Sequence, residues 1–207
     1  MKLQVAMDVL TTEAALELAA QVAPYVDILE LGTPLIKSEG VRAITAIKAA
    51  HPDKLVFADL KTMDAGELEA DIAFAAGADY VTVLGTAGDS TIIGAVKAAK
   101  AHGKGIVVDL IGVADKVKRA QEVTGLGAVF VEMHAGLDEQ AEAGFTFATL
   151  LTDGETSKVP FSVAGGVNLD TIAAVQRAGA EVAVAGGAIY GAADPAASAA
   201  ALRAAIV

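Results

Sequence analysis

The chain has 207 residues, 54% of them hydrophobic and 4% aromatic, with 15 Lys and Arg against 26 Asp and Glu. A formal charge of −11 and a pI near 4.6 exclude a nucleic-acid binder, whose phosphates would be repelled, and oblige any anionic substrate to be held by local donors. Cysteine is absent, which removes disulfides, thiolate nucleophiles and zinc–thiolate sites, and no apolar run approaches the ~18 residues of a membrane span.

Taken in order, the stretch Met1 to Asp8 reads as a strand, and it lacks the long apolar segment and cleavage site of a signal peptide. With the missing cysteines, this fits a cytoplasmic enzyme. Thr11 and Thr12 ahead of Glu13 read as the cap of a first helix. A second apolar run ends at Glu30. A third, Leu55 to Ala58, follows the turn signal His51-Pro52-Asp53 and leads into Asp59, Lys61 and Asp64. Leu68, Ile72 and Ala75 then fall at helical spacing. Further runs end near Leu84, Asp109, His134, Ala164 and Ala185, so the eight strand ends lie 21 to 30 residues apart. An interval of that size holds one strand, one loop and one helix. Asp89-Ser90 and Asn168 read as later helix caps. Ala-Gly-Ala followed by an acid, at Ala76 to Asp79 and Ala178 to Glu181, reads as a helix end with a strand directly behind it. No linker divides the chain. The pattern predicts an α/β protein, one (β/α)8 TIM barrel over residues 1–207; an open doubly wound sheet would alternate in the same way.

In a barrel, chemistry gathers on the loops after the strands. Asp8, Glu30 and Asp59 end three consecutive strands, so three carboxylates converge on one side of the mouth. Unpaired acids raise one another's pKa values, and a hard divalent cation such as Mg2+ relieves them. Asp59 and Lys61 share a strand face by alternation, with Asp64 in the loop beyond. Asp109 ends the fifth strand, and Glu132 and His134 share a face of the sixth. Each of these acids taken singly also suits a plain ion pair or helix cap. His51 and His102 sit before Pro52 and Gly103 in loop and helix-end contexts, which leaves His134 as the histidine placed for general-base chemistry. Strands seven and eight end in the pairs Gly165-Gly166 and Gly186-Gly187, whose backbone amides suit a phosphate, although a single Gly-Gly is equally a plain turn.

Asp59-x-Lys61-x-x-Asp64, with Asp8, Glu30 and His134 on strands one, two and six, resembles the orotidine-monophosphate-decarboxylase superfamily. The stretches from Asp27 to Lys37, Phe57 to Glu67 and Val131 to Gln140 resemble its 3-hexulose-6-phosphate synthase family along essentially the whole chain. That resemblance implies Mg2+-dependent aldol addition of formaldehyde to D-ribulose 5-phosphate in the ribulose monophosphate pathway. It also implies a homodimer with shared active sites, Asp64 reaching in from the partner subunit. Beside it, chemistry assigns Mg2+ (or Mn2+) to Glu30 and Asp59, which lets the metal polarise the ketone and stabilise an enediolate. The C1 proton goes to His134, the developing oxyanion to Lys61, and positioning to Asp8 and Asp64. A Schiff base on Lys61 is the mechanistic rival, opposed by the carboxylates that keep that amine charged. The 3-keto-L-gulonate-6-phosphate decarboxylases resemble the chain too, but carry an arginine where Gly187 stands and another after the strand-six histidine, where this chain has Ala135, Gly136 and Leu137. A non-catalytic phosphate-binding barrel and a ribulose-phosphate epimerase are further readings; the latter builds its metal site with several histidines.

Overall fold

The apolar runs become strands because their alternate residues pack on two separate cores. The computed structural model describes residues 1–206. Its strands are β1 (Lys2–Met7), β2 (Ile28–Leu31), β3 (Leu55–Thr62), β4 (Tyr80–Leu84), β5 (Gly105–Asp109), β6 (Phe130–His134), β7 (Phe161–Ala164) and β8 (Val182–Ala185). Each pairs in parallel with the next, and β8 returns to β1, with Lys2 opposite Val182 and Val5 opposite Ala185. The alternation is therefore a closed barrel rather than an open sheet. One residue set of the strands, including Leu3, Val5, Leu29 and Val108, packs outward against the helices. The other, Ile28, Phe57, Val107, Phe130, Ala164, Val182 and Val184, fills the barrel. Tyr80 stands between Phe57 and Phe130, at centroid distances of 6.3 and 5.6 Å.

The helices are α1 (Thr12–Val22), α2 (Thr33–Glu39), α3 (Arg42–Ala50), α4 (Gly66–Ala75), α5 (Asp89–His102), α6 (Lys116–Leu126), α7 (Leu137–Gln140), α8 (Phe147–Ser157), α9 (Ile172–Arg177), α10 (Gly187–Tyr190) and α11 (Pro195–Ala204). β2, β6 and β8 are thus each followed by two helices, where the spacing predicts one. Thr11 caps α1 as expected, its hydroxyl accepting from the Ala14 amide at 3.2 Å. Asp89 instead lies inside the first turn of α5, whose cap is Gly88, and its carboxylate pairs with Arg119 at 2.8 Å. Asn168 accepts from the Asp170 and Thr171 amides in a turn ahead of α9 rather than capping it. Gly77 and Gly179 follow the ends of α4 and α9 with φ of 111° and 83°, as the two Ala-Gly-Ala phrases predict. No helix among the described residues is long and apolar enough to cross a membrane.

The helical spacing of Leu68, Ile72 and Ala75 does lie on α4, but on its outer face: Leu68 is 62% and Ile72 44% exposed. α4 buries Gly66, Ala70, Ala73 and Phe74 instead. Apolar periodicity marks a face that water disfavours without saying what covers it.

At the N-terminal end of the barrel, Asp79 ties three strands together. Its carboxylate accepts from the Val56 amide and Lys48 Nζ at 2.9 Å each and from Lys104 Nζ at 2.5 Å. Burial pushes this carboxyl up, but the three donors outweigh it and hold it below the ordinary 3.8. A depressed carboxyl stabilises the fold above its unfolded pKa and loses that contribution as pH falls through its folded value. Asp79→Asn is expected to cost about 1–3 kcal/mol in urea denaturation at neutral pH. The gap between the two proteins is expected to close as the pH is taken below that ordinary value.

Candidate active site

The same alternation that fills the barrel with aromatics changes to acids towards the C-terminal ends. Glu30, Asp59, Thr82, Asp109, Glu132 and Ser162 are all buried there, above the apolar layer. Of these, Glu30, Asp59 and Glu132 reach the floor of a cavity of about 750 Å³ that opens at the barrel mouth. Asp8, Glu30, Asp59, Lys61 and His134 line it, as do Gly165, Gly166, Gly186 and Gly187. Asp64 does not. It is exposed and lies in a separate shallow cleft with Gly66, Ser90 and Thr91.

Asp59 and Lys61 come together by a route that simple alternation misses. Between Ala58 and Thr62 the register of β3 against β4 shifts, so that Ala58 faces Val81 and Thr62 faces Val83. Lys61 sits in this bulge with φ of 48°, a left-handed conformation that costs a non-glycine residue roughly 1–2 kcal/mol. Its amide donates to Thr82 Oγ1 at 2.9 Å, and that hydroxyl donates to Asp59 Oδ1 at 2.8 Å. The ammonium reaches Asp59 Oδ2 at 3.0 Å and Asp109 Oδ2 at 2.6 Å. Asp59 is fixed from the other side by Thr33, whose hydroxyl donates to Oδ2 at 2.6 Å.

Asp109 is the group that the sequence placed at a strand end without giving it a task. It is fully buried and bridges Lys61 to His134, whose Nδ1 lies 2.9 Å from the same Oδ2. Its Oδ1 accepts from the Ile111 amide at 2.9 Å. Burial pushes the Asp109 carboxyl up, yet His134 and Lys61 outweigh that and hold it well below the usual range. A carboxylate kept ionised draws the His134 proton to Nδ1 and leaves the Nε2 lone pair as the basic atom. Burial lowers His134, but the Asp109 charge and hydrogen bond more than restore it, so the imidazole is more basic than usual. Lys61 behaves likewise: burial lowers it, and Asp109, Asp59 and Glu132 raise it further still. An amine so held stays an ammonium, which opposes the Schiff-base reading.

The remaining acids are under strain from one another. Burial, then Asp59 and Glu132, push Glu30 well above the ordinary carboxyl range, against one hydrogen bond from Gln4 Nε2 at 2.7 Å. Asp8 is raised by burial and by Asp59. Its carboxylate lies against Gly32, where a Cβ would come within 2.0 Å of Oδ1, so no other residue leaves Asp8 in this place. Glu30 and Asp59 offer carboxylate oxygens, only partly offset by the Lys61 ammonium at 3.0 Å from Asp59 Oδ2, and their excess negative charge is what a hard dication neutralises. The pair fits Mg2+ or Mn2+ by charge and donor type.

Opposite the acids, Gly165 and Gly166 turn with φ of 89° and 83°. A Cβ on Gly165 would stand 2.2 Å from the Ala135 carbonyl, so the chain after β7 passes against the end of β6 only as glycine. Gly186 and Gly187 begin α10 across the same cavity, beside Tyr190.

The profile of the orotidine 5'-phosphate decarboxylase / HUMPS family matches residues 1–202. The chain is 76% identical over 206 residues to a 3-hexulose-6-phosphate synthase of Mycobacterium gastri, covering 100% of both chains. It superposes on a crystal structure of a 3-hexulose-6-phosphate synthase with a TM-score of 0.99, at 76% identity and full coverage of both. It also superposes on a 3-keto-L-gulonate-6-phosphate decarboxylase of Vibrio cholerae, with a TM-score of 0.88 at 31% identity, over 99% of this chain and 96% of that one. By profile, sequence and fold, the chain belongs to the orotidine 5'-phosphate decarboxylase / HUMPS family.

Proposed function

We propose that the chain is a 3-hexulose-6-phosphate synthase that adds formaldehyde to D-ribulose 5-phosphate, giving D-arabino-3-hexulose 6-phosphate. The observation that carries the chemistry is the Lys61–Asp109–His134 array, a charged donor and an oriented base that line the cavity and are joined through one buried carboxylate oxygen. The identity with the Mycobacterium gastri enzyme supports the choice of reaction. The glycines after β7 and β8 hold the phosphate through backbone amides, which supply donors where the acidic chain has none to spare. Glu30 and Asp59 would hold Mg2+, which would supply Lewis acidity at the sugar's ketone.

His134 Nε2 takes the proton from C1 of the sugar, and Asp109 stabilises the imidazolium that results. Lys61 donates to the oxygen on which negative charge develops as the enediolate forms. The C1 carbon then bonds to the formaldehyde carbon, and the proton returns from His134 to the formaldehyde oxygen, so atoms and charge balance. Asp8 and Asp64 position the sugar hydroxyls and Lys61. Asp64 does so from a second copy of the chain: it borders an exposed apolar face formed by Met63, Leu68, Ile72 and Ile93, which a homodimer would bury. The setting is cytoplasmic.

The absence of arginine at Gly187 and after His134 favours the synthase over the decarboxylase. Hydrogen exchange separates them further. With D-ribulose 5-phosphate and no formaldehyde, a synthase exchanges the C1 hydrogen with solvent deuterium, and His134→Asn is expected to slow this by about 10²–10⁴-fold. A base must be unprotonated, so the rate should rise as pH climbs through the His134 pKa. Because Asp109 raises that pKa, Asp109→Asn should move the acid limb to lower pH while lowering the plateau. Wild-type exchange in His134→Asn would remove the base role. Release of CO2 from 3-keto-L-gulonate 6-phosphate without formaldehyde consumption would overturn the reaction.

Chelation is expected to abolish turnover and Mg2+ or Mn2+ to restore it, with Glu30→Gln and Asp59→Asn folded but unresponsive to metal. Full turnover in excess chelator would dismiss the metal. For the shared site, Asp64→Asn and Asp59→Asn should each be inactive, whereas mixed dimers should recover up to roughly a quarter of wild-type activity. No recovery after verified subunit exchange would return Asp64 to its own subunit or place it outside the site.

A further inference from the structure

The proposed reaction leaves one buried acid of the cavity floor without a task. Glu132 lies on β6 with its side chain 3% exposed, on the strand face that also carries His134. Its Oε1 meets only the Ser162 hydroxyl, at 3.4 Å. Its Oε2 accepts no hydrogen bond from the described residues and stands 3.7 Å from His134 Nδ1. The same Nδ1 lies 2.9 Å from Asp109 Oδ2. One ligand atom from each of Asp109, Glu132 and His134 falls within 4.8 Å of the other two.

Those spacings are close enough for the three groups to share one ion. Nitrogen and oxygen ligands about 2.0–2.1 Å from a tetrahedral Zn2+ stand roughly 3.3–3.5 Å from one another, between the two distances found here. The donor set also differs in kind from the oxygens of Glu30 and Asp59. An imidazole nitrogen with two carboxylates suits zinc, cobalt or nickel, whereas Mg2+ prefers oxygen. Charge allows a second ion: Asp8, Glu30, Asp59, Asp109 and Glu132 surround the single ammonium of Lys61, and once all five are ionised one dication still leaves the cluster negative. Only Lys61 Nζ stands in the way. Its side chain opens onto the cavity at 23% exposure and keeps Asp59 as a partner when it withdraws from Asp109.

We propose that Asp109, Glu132 and His134 form a site for Zn2+, or a like transition ion that favours imidazole, distinct from the Glu30–Asp59 pair, and that its occupation switches the reaction off. Ligation at Nδ1 moves the imidazole proton to Nε2, or releases the extra proton of an imidazolium to solvent. Either way Nε2 carries hydrogen and no longer accepts the C1 proton. The switch rests on the reading of His134 as base; the metal site does not.

Equilibrium dialysis of the full chain against ZnCl2 in saturating Mg2+ tests the site without turnover. One Zn2+ per chain is expected, held at least about tenfold more weakly by Glu132→Gln and by Asp109→Asn, with folding checked by circular dichroism. Co2+ in place of Zn2+ should give the visible absorption of tetrahedral ligation, lost in the same variants. Displacement of Zn2+ by Mg2+ one for one would overturn the site. So would undiminished binding in both variants, which would place the ion elsewhere, as at the surface pair His102 and Asp71. C1 hydrogen exchange should fall with the midpoint that dialysis gives. Saturation with Zn2+ at an unchanged exchange rate would overturn the switch, and His134→Asn in the absence of Zn2+ separates that result from a failure of the base reading.

Discussion

The active end of this barrel depends on one carboxylate oxygen. Asp109 Oδ2 is the point where the Lys61 ammonium and the His134 ring meet, and without its charge neither group keeps its place or its proton. The oxygen belongs to a fully buried side chain whose other oxygen is tied to the Ile111 amide, so the carboxylate cannot turn away. A rigid anion in a poorly solvated site interacts more strongly with its partners than one in water. That explains how one acid can make a lysine and a histidine more basic at once while its own proton is held off.

The surrounding acids work against stability. Glu30, Asp59, Asp109 and Glu132 are buried close together, and burial with mutual repulsion lifts Glu30, while Glu132 is pushed up to about 7. A core chosen for stability alone would place apolar residues there. Such residues do fill the layer below, where Phe57, Tyr80 and Phe130 close the barrel beneath the cavity. The barrel therefore separates its tasks along its axis. The aromatic layer and the Asp79 ties at the N-terminal end hold the strands together, and the C-terminal end carries charge that folding does not favour.

The bulge in β3 belongs to the same division. Lys61 occupies a left-handed backbone region, and the local cost is borne because Thr82 joins its amide to the Asp59 carboxylate. Strain of this kind persists only where neighbours over-determine it, and here those neighbours are the groups that the lysine serves. On the outside of the molecule, the exposed apolar side chains of α4 and α5 are the opposite case, a surface that the chain itself leaves uncovered.

Much of this was legible in the residues. Strand ends at near-regular spacing defined the eight units, because each unit must hold one strand and one returning helix. Alternation put Glu132 and His134 on one strand face, since side chains two apart share a face, and the strand ends put Glu30 and Asp59 at the barrel mouth. What the sequence could not supply was everything that depends on neighbours across the barrel. Closure of β8 on β1 is a pairing between segments some 180 residues apart, and local pattern carries no record of it. The extra helices after β2 and β6 lengthen their intervals only to 29 and 30 residues, too little to read as a second helix. Asp109 looked like one strand-end acid among several until the curvature of the sheet brought β5 between Lys61 and His134. Leu68 and Ile72 announced a helix face correctly, yet burial is a property of the assembled surface, and only the packing of α4 on α5 showed which side of that helix the chain leaves uncovered. Sequence alone determined which groups exist and, where the strand runs regularly, which of them share a face; the tertiary structure decided the bulge at Lys61 and which groups touch, because charge and hydrogen bonding act over a few ångströms that only the closed barrel spans.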